Sequence, residues 1–284
     1  AGDEKKAREI FDAFLARYEG GVPMALVYSC EGAAPCRTVF DAAALEMARA
    51  VQMSTLPAVM PSLPGYDLYG MSQPASLTGG DTFDLAVLDQ GLLTVLGDAT
   101  GHGIGPALSV TQMHAMLRMA FRLGAELETA FLQVNNQLAA TLADDRFITA
   151  FIGLLDPAIH QLRFHSGGQA PILHFKAASG TCARYNPTSF PLAAMPLSTL
   201  RPAIAVDMMP GDILVLLSDG IYEYHDRQNE QFGEDRVEAV LRDHHGRRMA
   251  ELSGILLDAV RAFAQGAPQE DDITIVLVKR EAGA

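Results

Sequence analysis

The fold prediction starts from the loop at residues 97–105, which reads Gly-Asp-Ala-Thr-Gly-His-Gly-Ile-Gly. Residues 92–96 just before it are almost all apolar and have the length of a buried strand. Pro106 just after it opens a helical pattern of apolar positions. The glycines permit a tight turn and a close approach of the main chain to a ligand. The carboxylate of Asp98 therefore stands at a strand end, where it and a neighbouring carbonyl suit a hard metal ion.

A purely structural role for Asp98 is also compatible with this pattern. Connections from a strand through a glycine turn to a helix are common, and aspartate often serves there as a turn former or a helix cap. The loop by itself favours neither interpretation, so the choice depends on the rest of the chain.

The composition predicts a folded, acidic protein. The chain has 284 residues, enough for one large domain or roughly two ordinary ones. With 49% hydrophobic and 19% charged residues, it can bury a sizeable core and is not expected to be disordered. The net charge of -13 argues against binding of nucleic acid or of an anionic membrane surface. An acidic chain that acts on phosphorylated substrates needs local positive charge, which bound divalent cations provide.

The cysteines and the apolar runs predict a cytoplasmic location. Cys30, Cys36 and Cys182 fit neither a zinc-binding spacing nor a disulfide framework, which is typical of a reduced compartment. No apolar run approaches the roughly 20 residues that span a bilayer. The charged first residues lack the apolar segment of a signal peptide. Because the chain begins with Ala1 rather than methionine, we expect it to be a piece of a longer protein.

Three regions are distinguished along the chain. Residues 1–40 carry a helical pattern at 4–18 and a strand-like run at 22–28, and their affiliation is unknown. Residues 41–64 are interpreted as a linker, in which a helix capped by Asp41 runs to Leu56 and a proline-rich connector follows. This helix is expected either to pair with that of a second copy, giving a homodimer, or to pack on its own domain. Residues 65–281 are predicted to form one domain.

From residue 66 onward, the strand and helix patterns predict an α+β fold. Short turns such as residues 89–91 join neighbouring strands, so much of the sheet structure is expected to be antiparallel. Hairpins and helices occur in separate blocks, which is typical of layered α+β folds. The predicted strands lie at 84–88, 92–96, 147–155, 161–165, 172–175, 213–217 and 273–278, and the predicted helices at 106–122, 126–142, 233–243 and 247–264.

Four acidic positions share one arrangement, because each stands at the end of an apolar strand. They are Asp81, Asp98, Asp219 and the run at 270–272. Aspartate is unfavourable inside strands, which gives its place at strand ends a structural explanation. Four acidic strand ends are more than this structural preference alone explains. Carboxylates that share a small space repel each other unless cations lie among them. Mg²⁺ and Mn²⁺ are the cations that such oxygen ligands prefer.

From Gln52 to its end, the chain resembles the SpoIIE/RsbU branch of the metal-dependent, type 2C-like (PPM) protein serine/threonine phosphatases. The segments Thr-Gly-Gly-Asp-Thr-Phe-Asp at 78–84 and Gly-Asp-Ala-Thr-Gly-His-Gly at 97–103 are similar to the first two acidic motifs of that family. The late motifs of the family resemble Pro-Gly-Asp at 210–212, Leu-Ser-Asp-Gly-Ile-Tyr-Glu at 217–223, Gln-Phe-Gly at 231–233 and Asp-Asp-Ile-Thr at 271–274. Each motif is moderately specific, but their shared order along most of the chain is distinctive.

This resemblance implies an α-β-β-α sandwich of two mainly antiparallel sheets flanked by helices, with two divalent cations, Mn²⁺ or Mg²⁺, at one end. By position, Asp98 is expected to bridge the two metals, and the carbonyl of Ala99 to bind one of them. Asp219 and Asp271 are expected to hold one metal, and Asp81 to support the other. Asp98 and Asp219 are the expected catalytic residues, since metals held there orient a phosphoryl group and activate a bridging water.

Further positions near these motifs are also interpreted. Gly101 and His102 are candidate accessory residues, and a general-acid role for His102 competes with a structural role at a helix start. Asp272 is not an expected ligand, because successive strand residues face opposite ways. The family often has Asn-Ala-Gly-His where this chain has Ser-Gly-Gly-Gln at 166–169, which weakens any role for an imidazole there. No arginine stands just before Asp81, so phosphate binding is expected to depend mainly on the metals.

The resemblance implies a phosphatase for phosphoserine or phosphothreonine on a regulatory protein, in this branch often an anti-sigma-factor antagonist of bacterial partner-switching pathways. An upstream sensor or receiver domain is a further expected partner. One alternative is a degenerate phosphatase domain that serves as a protein-binding adaptor, although such domains usually lose the metal carboxylates that this chain retains. Another is a nucleotide-binding loop, but Pro106 occupies the place of the last glycine of the dinucleotide pattern.

Overall fold

A computed structural model describes residues 42–101, 103–143 and 145–282, with side chains from residue 45 onward. Within these ranges the chain forms six helices and ten strands. The helices are α1 (Ala42–Thr55), α2 (Ile104–Arg122), α3 (Leu127–Thr141), α4 (Asp219–Tyr222), α5 (Gly233–His244) and α6 (Met249–Ala264). The strands are β1 (Tyr66–Gln73), β2 (Asp81–Leu88), β3 (Gly91–Ala99), β4 (Ile148–Asp156), β5 (Gln161–Gly167), β6 (Ile172–Lys176), β7 (Thr181–Tyr185), β8 (Ile204–Asp207), β9 (Ile213–Leu217) and β10 (Ile273–Arg280).

The strands form two sheets of five strands each. The first sheet has the order β1-β10-β9-β6-β7, and the second has the order β2-β3-β4-β5-β8. Neighbouring strands within each sheet are antiparallel. The central strand β9, Ile-Leu-Val-Leu-Leu, is buried along its whole length because both of its faces are covered.

The hydrophobic core has three layers. Between the sheets, Phe151, Phe164 and Leu216 are fully buried, and the ring centroids of the two phenylalanines lie 4.9 Å apart. Helices α2 and α3 cover the outer face of the second sheet, while α5 and α6 cover the outer face of the first. Each of these helices thereby buries an apolar stripe against a sheet. The expected α+β fold, an α-β-β-α sandwich of antiparallel sheets, is confirmed.

Helix α1 packs on its own domain along one side. The buried side chain of Gln52 bonds to the main chain of Gly79, whereas Met47 and Val51 are 70% and 56% exposed. Beside these exposed residues, α1 and α2 border an apolar groove of about 160 Å³. Packing on its own domain is therefore observed, and pairing with a second copy stays a prediction. The expected cap Asp41, the 4–18 helix and the 22–28 strand lie outside the described residues.

Asp84, the last residue of the 78–84 motif, fastens α2 to β2. Its buried carboxylate forms a two-pronged ion pair with Arg118, in which Nη2 lies 2.6 Å from Oδ1 and Nε contacts Oδ2. His114 Nε2 lies 3.2 Å from the same carboxylate. Burial would raise the pKa of Asp84, but His114 and Arg118 together hold it below its ordinary value. This aspartate therefore has a structural role.

Among the described residues, no helix combines the length and apolar character that crossing a membrane requires.

Candidate active site

Asp81 and Asp98 lie at the same end of the second sheet. They are directly opposite each other in the β2–β3 register, and the Ala99 N–H donates to the Gly80 carbonyl at 3.0 Å. Asp81 is buried, whereas Asp98 is partly exposed at the strand end. The antiparallel hairpin thus brings together two carboxylates that stand at the outer ends of its two strands.

Asp219 and Asp271 lie at one end of the first sheet. Asp219 begins α4 directly after β9, and Asp271 stands just before β10, the neighbour of β9. The two segments are in close contact, since a Cβ placed on Gly220 would lie 2.1 Å from the Asp272 carbonyl oxygen. Both aspartates border an open cavity of about 160 Å³, together with Glu223.

The carboxylates of the two sheets act on one another electrostatically. Burial, followed by the charges of Asp219, Asp271 and Asp272, raises the pKa of Asp98 to about 8. Burial, followed by the charges of Asp271 and Glu223, raises the pKa of Asp219 to about 6. Burial and then the charge of Asp98 raise the pKa of Asp81 well above its ordinary value. Negative charge from four strand ends is therefore concentrated in one region, which opposes ionisation in the absence of a cation.

Oxygen atoms of the glycine loop converge on Gly80. A Cβ at that position would lie 2.6 Å from the Ala99 carbonyl oxygen, 2.8 Å from that of Gly101 and 3.3 Å from Asp98 Oδ1. Nearby, Asp81 Oδ2 is buried and has no hydrogen-bond partner among the described residues. Carbonyl and carboxylate oxygens are the donors that Mg²⁺ and Mn²⁺ prefer. The donor set expected from the sequence therefore fits a divalent cation in chemical type.

The same atoms do not form a completed ligand cage. Within residues 42–101, 103–143 and 145–282, no group of three or more His, Cys, Asp or Glu side chains is close enough to hold a metal ion. Burial, and then the charges of Asp219 and Asp271, nevertheless raise the pKa of Asp98, which is the direction expected for carboxylates in one acidic region. The ligand assignment of Asp81, Asp98, Ala99, Asp219 and Asp271 stays a prediction.

Asp272 organises the loop that precedes β2. Its buried carboxylate accepts hydrogen bonds from the main-chain N–H groups of Gly80 at 2.6 Å, Ala75 at 2.7 Å and Asp81 at 3.3 Å. A Cβ on Gly79 would lie 2.2 Å from Asp272 Oδ2, so this close approach requires glycine. Through these hydrogen bonds, the Asp272 carboxylate holds the main chain around Asp81 in place.

The turn after Asp98 has the conformation that its glycines predict. Gly101 and Gly103 have φ values of 81° and 97°, in the region that favours glycine. The hydroxyl and the N–H of Thr100 both donate to the Phe147 carbonyl, at 2.9 and 3.0 Å, and tie the turn to the chain entering β4. His102, the other accessory candidate, lies outside the described residues.

Two contacts near these loops were not predicted from the sequence, although Gln52 begins the stretch that resembles the family. Gln52 of α1 donates to the Gly79 carbonyl at 2.8 Å and accepts from the Gly79 N–H at 3.2 Å, so the linker helix touches the loop before Asp81. The guanidinium of Arg146 lies against Gly105 at the start of α2, because a Cβ there would be 2.7 Å from Nη1. Neither contact has a local sequence signal, since each joins segments that are far apart along the chain.

A family model gives the decisive comparison. Residues 89–281, well over half of the chain, match the model described as Stage II sporulation protein E (SpoIIE). The chain belongs to the SpoIIE family. Its SpoIIE-family domain therefore includes the strand ends that carry Asp98, Asp219 and Asp271, and the resemblance seen in the motifs is confirmed.

Two relatives of this SpoIIE-family chain extend the comparison. It is 25% identical over 265 residues to Protein IcfG of Synechocystis sp., a match that covers 83% of this chain and 41% of IcfG. It is 20% identical over 237 residues to Phosphoserine phosphatase RsbU of Bacillus subtilis, covering 84% of this chain and 70% of RsbU. The chain thus spans less than half the length of IcfG. The expected hydrolase class agrees with the name of RsbU.

Solved structures confirm the fold of the SpoIIE-family chain. The SiaA-PP2C domain of Pseudomonas aeruginosa superposes with a TM-score of 0.70 at 22% identity, covering 84% of this chain and 95% of that one. RsbX in complex with magnesium superposes with a TM-score of 0.59 at 15% identity, covering 78% of this chain and 98% of that one.

The raised pKa values predict an unusual pH dependence for the metal-free SpoIIE-family chain. Since the folded pKa values of Asp98 and Asp219, about 8 and about 6, exceed the ordinary value of 3.8, the folded state binds these protons more tightly than the unfolded state. Their contribution to the free energy of unfolding is complete at acid pH and is lost as the pH rises through about 6 and about 8. We expect Asp98→Asn to flatten this decline.

Thermal unfolding in EDTA between roughly pH 5 and pH 9 measures the effect. The midpoint of Asp98→Asn is expected to exceed that of the unsubstituted chain by a few degrees at the alkaline end. Identical pH profiles for the two proteins would show that Asp98 is not under electrostatic stress.

Proposed function

We propose that this chain is a metal-dependent protein serine/threonine phosphatase that hydrolyses phosphoserine or phosphothreonine on a regulatory protein. The observation that carries the proposal is the placement of four carboxylates at strand ends of the two sheets, with Asp81 opposite Asp98 in one sheet and Asp219 and Asp271 at the ends of neighbouring strands in the other. Burial, followed by the charges of Asp219 and Asp271, raises the pKa of Asp98 to about 8, which agrees with this placement. Such an arrangement is unfavourable in the bare protein and becomes favourable when cations bind among the carboxylates. The relationship to a phosphoserine phosphatase supports the choice of substrate.

Two divalent cations, Mn²⁺ or Mg²⁺, belong to the proposal. Asp98 would bridge them beside the carbonyl of Ala99, Asp219 and Asp271 would hold one ion, and Asp81 would support the other. The convergence of loop oxygens on Gly80 and the unpaired Asp81 Oδ2 support this assignment, as does the magnesium in the RsbX complex. When bound, such cations supply positive charge for a phosphoryl group and lower the pKa of a water molecule.

The residues of the chain would hold and orient the reacting groups. Asp98 and Asp219 are partly exposed, so a phosphoester can approach them, whereas Asp81 is only 4% exposed. The cavity of about 160 Å³ beside Asp219 is smaller than the roughly 300–1,000 Å³ of sites that enclose whole drug-sized ligands. The phosphorylated residue therefore has to protrude from the surface of its protein.

The partner and domain assignments follow from the same proposal. The substrate is proposed to be an anti-sigma-factor antagonist in a partner-switching pathway, as the resemblance implies. Residues 41–64 would be the linker and residues 65–281 the phosphatase domain, with an upstream sensor or receiver domain as the source of a signal. The substrate assignment is tested with an Asp219→Asn variant, which is expected to bind its substrate without turnover. The phosphoprotein that co-purifies with this variant is then identified. Recovery of phosphoproteins of another class would contradict the assignment to an anti-sigma-factor antagonist.

Hydrolysis assays distinguish the phosphatase from the adaptor alternative. Release of phosphate from a phosphoserine peptide and of p-nitrophenol from p-nitrophenyl phosphate is expected with Mn²⁺ or Mg²⁺ and is expected to stop in EDTA. Activity that EDTA leaves unchanged contradicts the metal-dependent mechanism. A chain that binds a phosphoprotein but hydrolyses nothing with either metal supports the adaptor.

A homodimer through α1 is also proposed, and the exposed Met47 and Val51 beside the apolar groove support it. Charged substitutions at both positions, Met47→Glu and Val51→Glu, are expected to convert dimers to monomers, because like charges would face each other across the interface. Sedimentation equilibrium measures the change. Leu123→Glu, another exposed apolar position at 80% exposure, is the matched control and should leave the mass unchanged. If the unsubstituted chain is a monomer, the proposed homodimer is wrong.

A further inference from the structure

The segment between β5 and β6 joins the two sheets near the acidic residues. β5 ends at Gly167 in the second sheet, and β6 begins at Ile172 in the first. The segment is fixed at both ends, because the Ser166 hydroxyl donates to the Gln169 carbonyl at 2.7 Å and the Tyr222 hydroxyl donates to the Ala170 carbonyl at 2.6 Å. The main chain of this segment, which runs from one sheet to the other, is therefore held in place by two hydrogen bonds.

The side chain of Gln169 spans this space. It is 4% exposed, and its Nε2 donates to the Leu217 carbonyl at 2.9 Å. Its Oε1 accepts from the Thr149 hydroxyl at 3.3 Å. Because a carbonyl can only accept, the contact with Leu217 fixes which end of the amide is nitrogen. One buried amide thus links β9 of the first sheet to β4 of the second.

Each end of this link lies next to a predicted metal ligand. Thr149 is directly opposite Asp98 in the β3–β4 register. Leu217 is the last residue of β9, and Asp219 follows two positions later as the first residue of α4. Tyr222, at the other end of the same short helix, is held by Ala170. The helical turn that carries Asp219 is therefore tied to the Gln169 segment at both of its ends.

We propose that Gln169 is a positioning residue that sets the separation between Asp98 on the second sheet and Asp219 on the first. The inference rests on the proposed function, because these two aspartates are the ones assigned to a shared pair of cations. Residues that orient metal ligands without touching the metal commonly change affinity by roughly 10–100-fold when they are replaced. An amide suits this role because its donor and its acceptor fix two distances at once, whereas an apolar side chain would fix neither.

The experiment measures cation binding directly and does not depend on turnover. Mn²⁺ is titrated into metal-free protein, and the free ion is followed by its electron paramagnetic resonance signal. Gln169→Leu removes both hydrogen bonds at similar volume. Thr149→Val keeps the shape of the side chain but removes the Oε1 contact, together with the longer contact of 3.5 Å between the Thr149 hydroxyl and the Asp98 carbonyl. Asn135→Leu is the matched control, since this buried amide also bonds to main-chain atoms, at Met195 and Ala193, but connects α3 to a loop instead of joining the sheets.

We expect Gln169→Leu to weaken Mn²⁺ binding by about tenfold or more, Thr149→Val to weaken it by less, and Asn135→Leu to lower the melting temperature without changing Mn²⁺ affinity. Unchanged affinity in folded Gln169→Leu overturns the inference, as does an equal loss in Asn135→Leu. If Gln169→Leu does not fold, unchanged affinity in Thr149→Val overturns it. An unsubstituted chain that binds no Mn²⁺ would instead refute the proposed function, so the two failures are distinguishable.

Discussion

Replacement of Asp98 by asparagine is expected to reduce metal-dependent phosphatase activity by roughly 10²–10³-fold or more, the scale on which loss of one preorganised electrostatic group lowers kcat. Asparagine keeps the shape of the side chain but removes the negative charge proposed to bridge two cations. The fold should survive, because the carboxylate is under repulsion from Asp219 and Asp271 in the metal-free state. Initial rates with p-nitrophenyl phosphate across a range of Mn²⁺ concentrations measure the loss, which excess metal should not restore.

Asp258→Asn is the matched control for this substitution. Asp258 is exposed on α6, where it pairs with Arg261 at 3.8 Å, and such surface pairs contribute little. Its activity should equal that of the unsubstituted chain. Full activity in Asp98→Asn would show that the oxygens around Gly80 do not bind the catalytic cations, and the hydrolase mechanism proposed here would fail.

Gly80→Ala is expected to have the second large effect, for a steric reason. The added Cβ would lie 2.6 Å from the Ala99 carbonyl oxygen and 2.8 Å from the Gly101 carbonyl oxygen, both of which belong to the main chain. The β2–β3 hairpin has to open to relieve these contacts, and Asp81 and Asp98 move with it. Since a displacement of about 1 Å can reduce a rate about 10²-fold, we expect a loss of at least that size together with weaker Mn²⁺ binding.

The control for Gly80→Ala is Gly254→Ala, in the interior of α6. No atom lies within 4 Å of a Cβ placed on Gly254, so the change should be neutral or should raise the free energy of unfolding by about 0.4–1 kcal/mol. Urea unfolding and phosphatase rates compare the two proteins. A Gly80→Ala variant with the same rate and Mn²⁺ affinity as Gly254→Ala would contradict the proposed placement of the site.

The interior of both sheets was predictable from the sequence, and the edges largely were not. Strands β2, β3, β4, β5, β6, β9 and β10 were predicted. In β3 and β9, for example, burial on both faces requires runs of apolar residues. The unpredicted strands β1, β7 and β8 are all edges, and among their residues β7 has none that is buried and β8 has one. Edge strands bury less of their surface, so nothing in their composition distinguishes them from loops.

The acidic residues of the site were predictable for a related reason. Each stands where a strong strand signal stops, so its position in the fold follows from local sequence. Gln169 gave no such signal, because its partner Leu217 lies 48 residues away and the contact exists only after the sheets have packed. The same holds for Asp272, whose carboxylate serves main-chain groups that lie 191 to 197 residues earlier. Side chains that form hydrogen bonds with main-chain atoms far away in the sequence can be identified only from the structure.

The place of β10 in the first sheet has a consequence for folding during translation. Although β10 is the last described strand, it lies between β1 and β9, and Asp271 stands two residues before it. Until this strand has left the ribosome, β1 has no neighbour in its sheet and the acidic pocket lacks one wall. A nascent polypeptide without β10 would therefore lack Asp271 and an intact first sheet, so the proposed activity is expected only after this strand has been added.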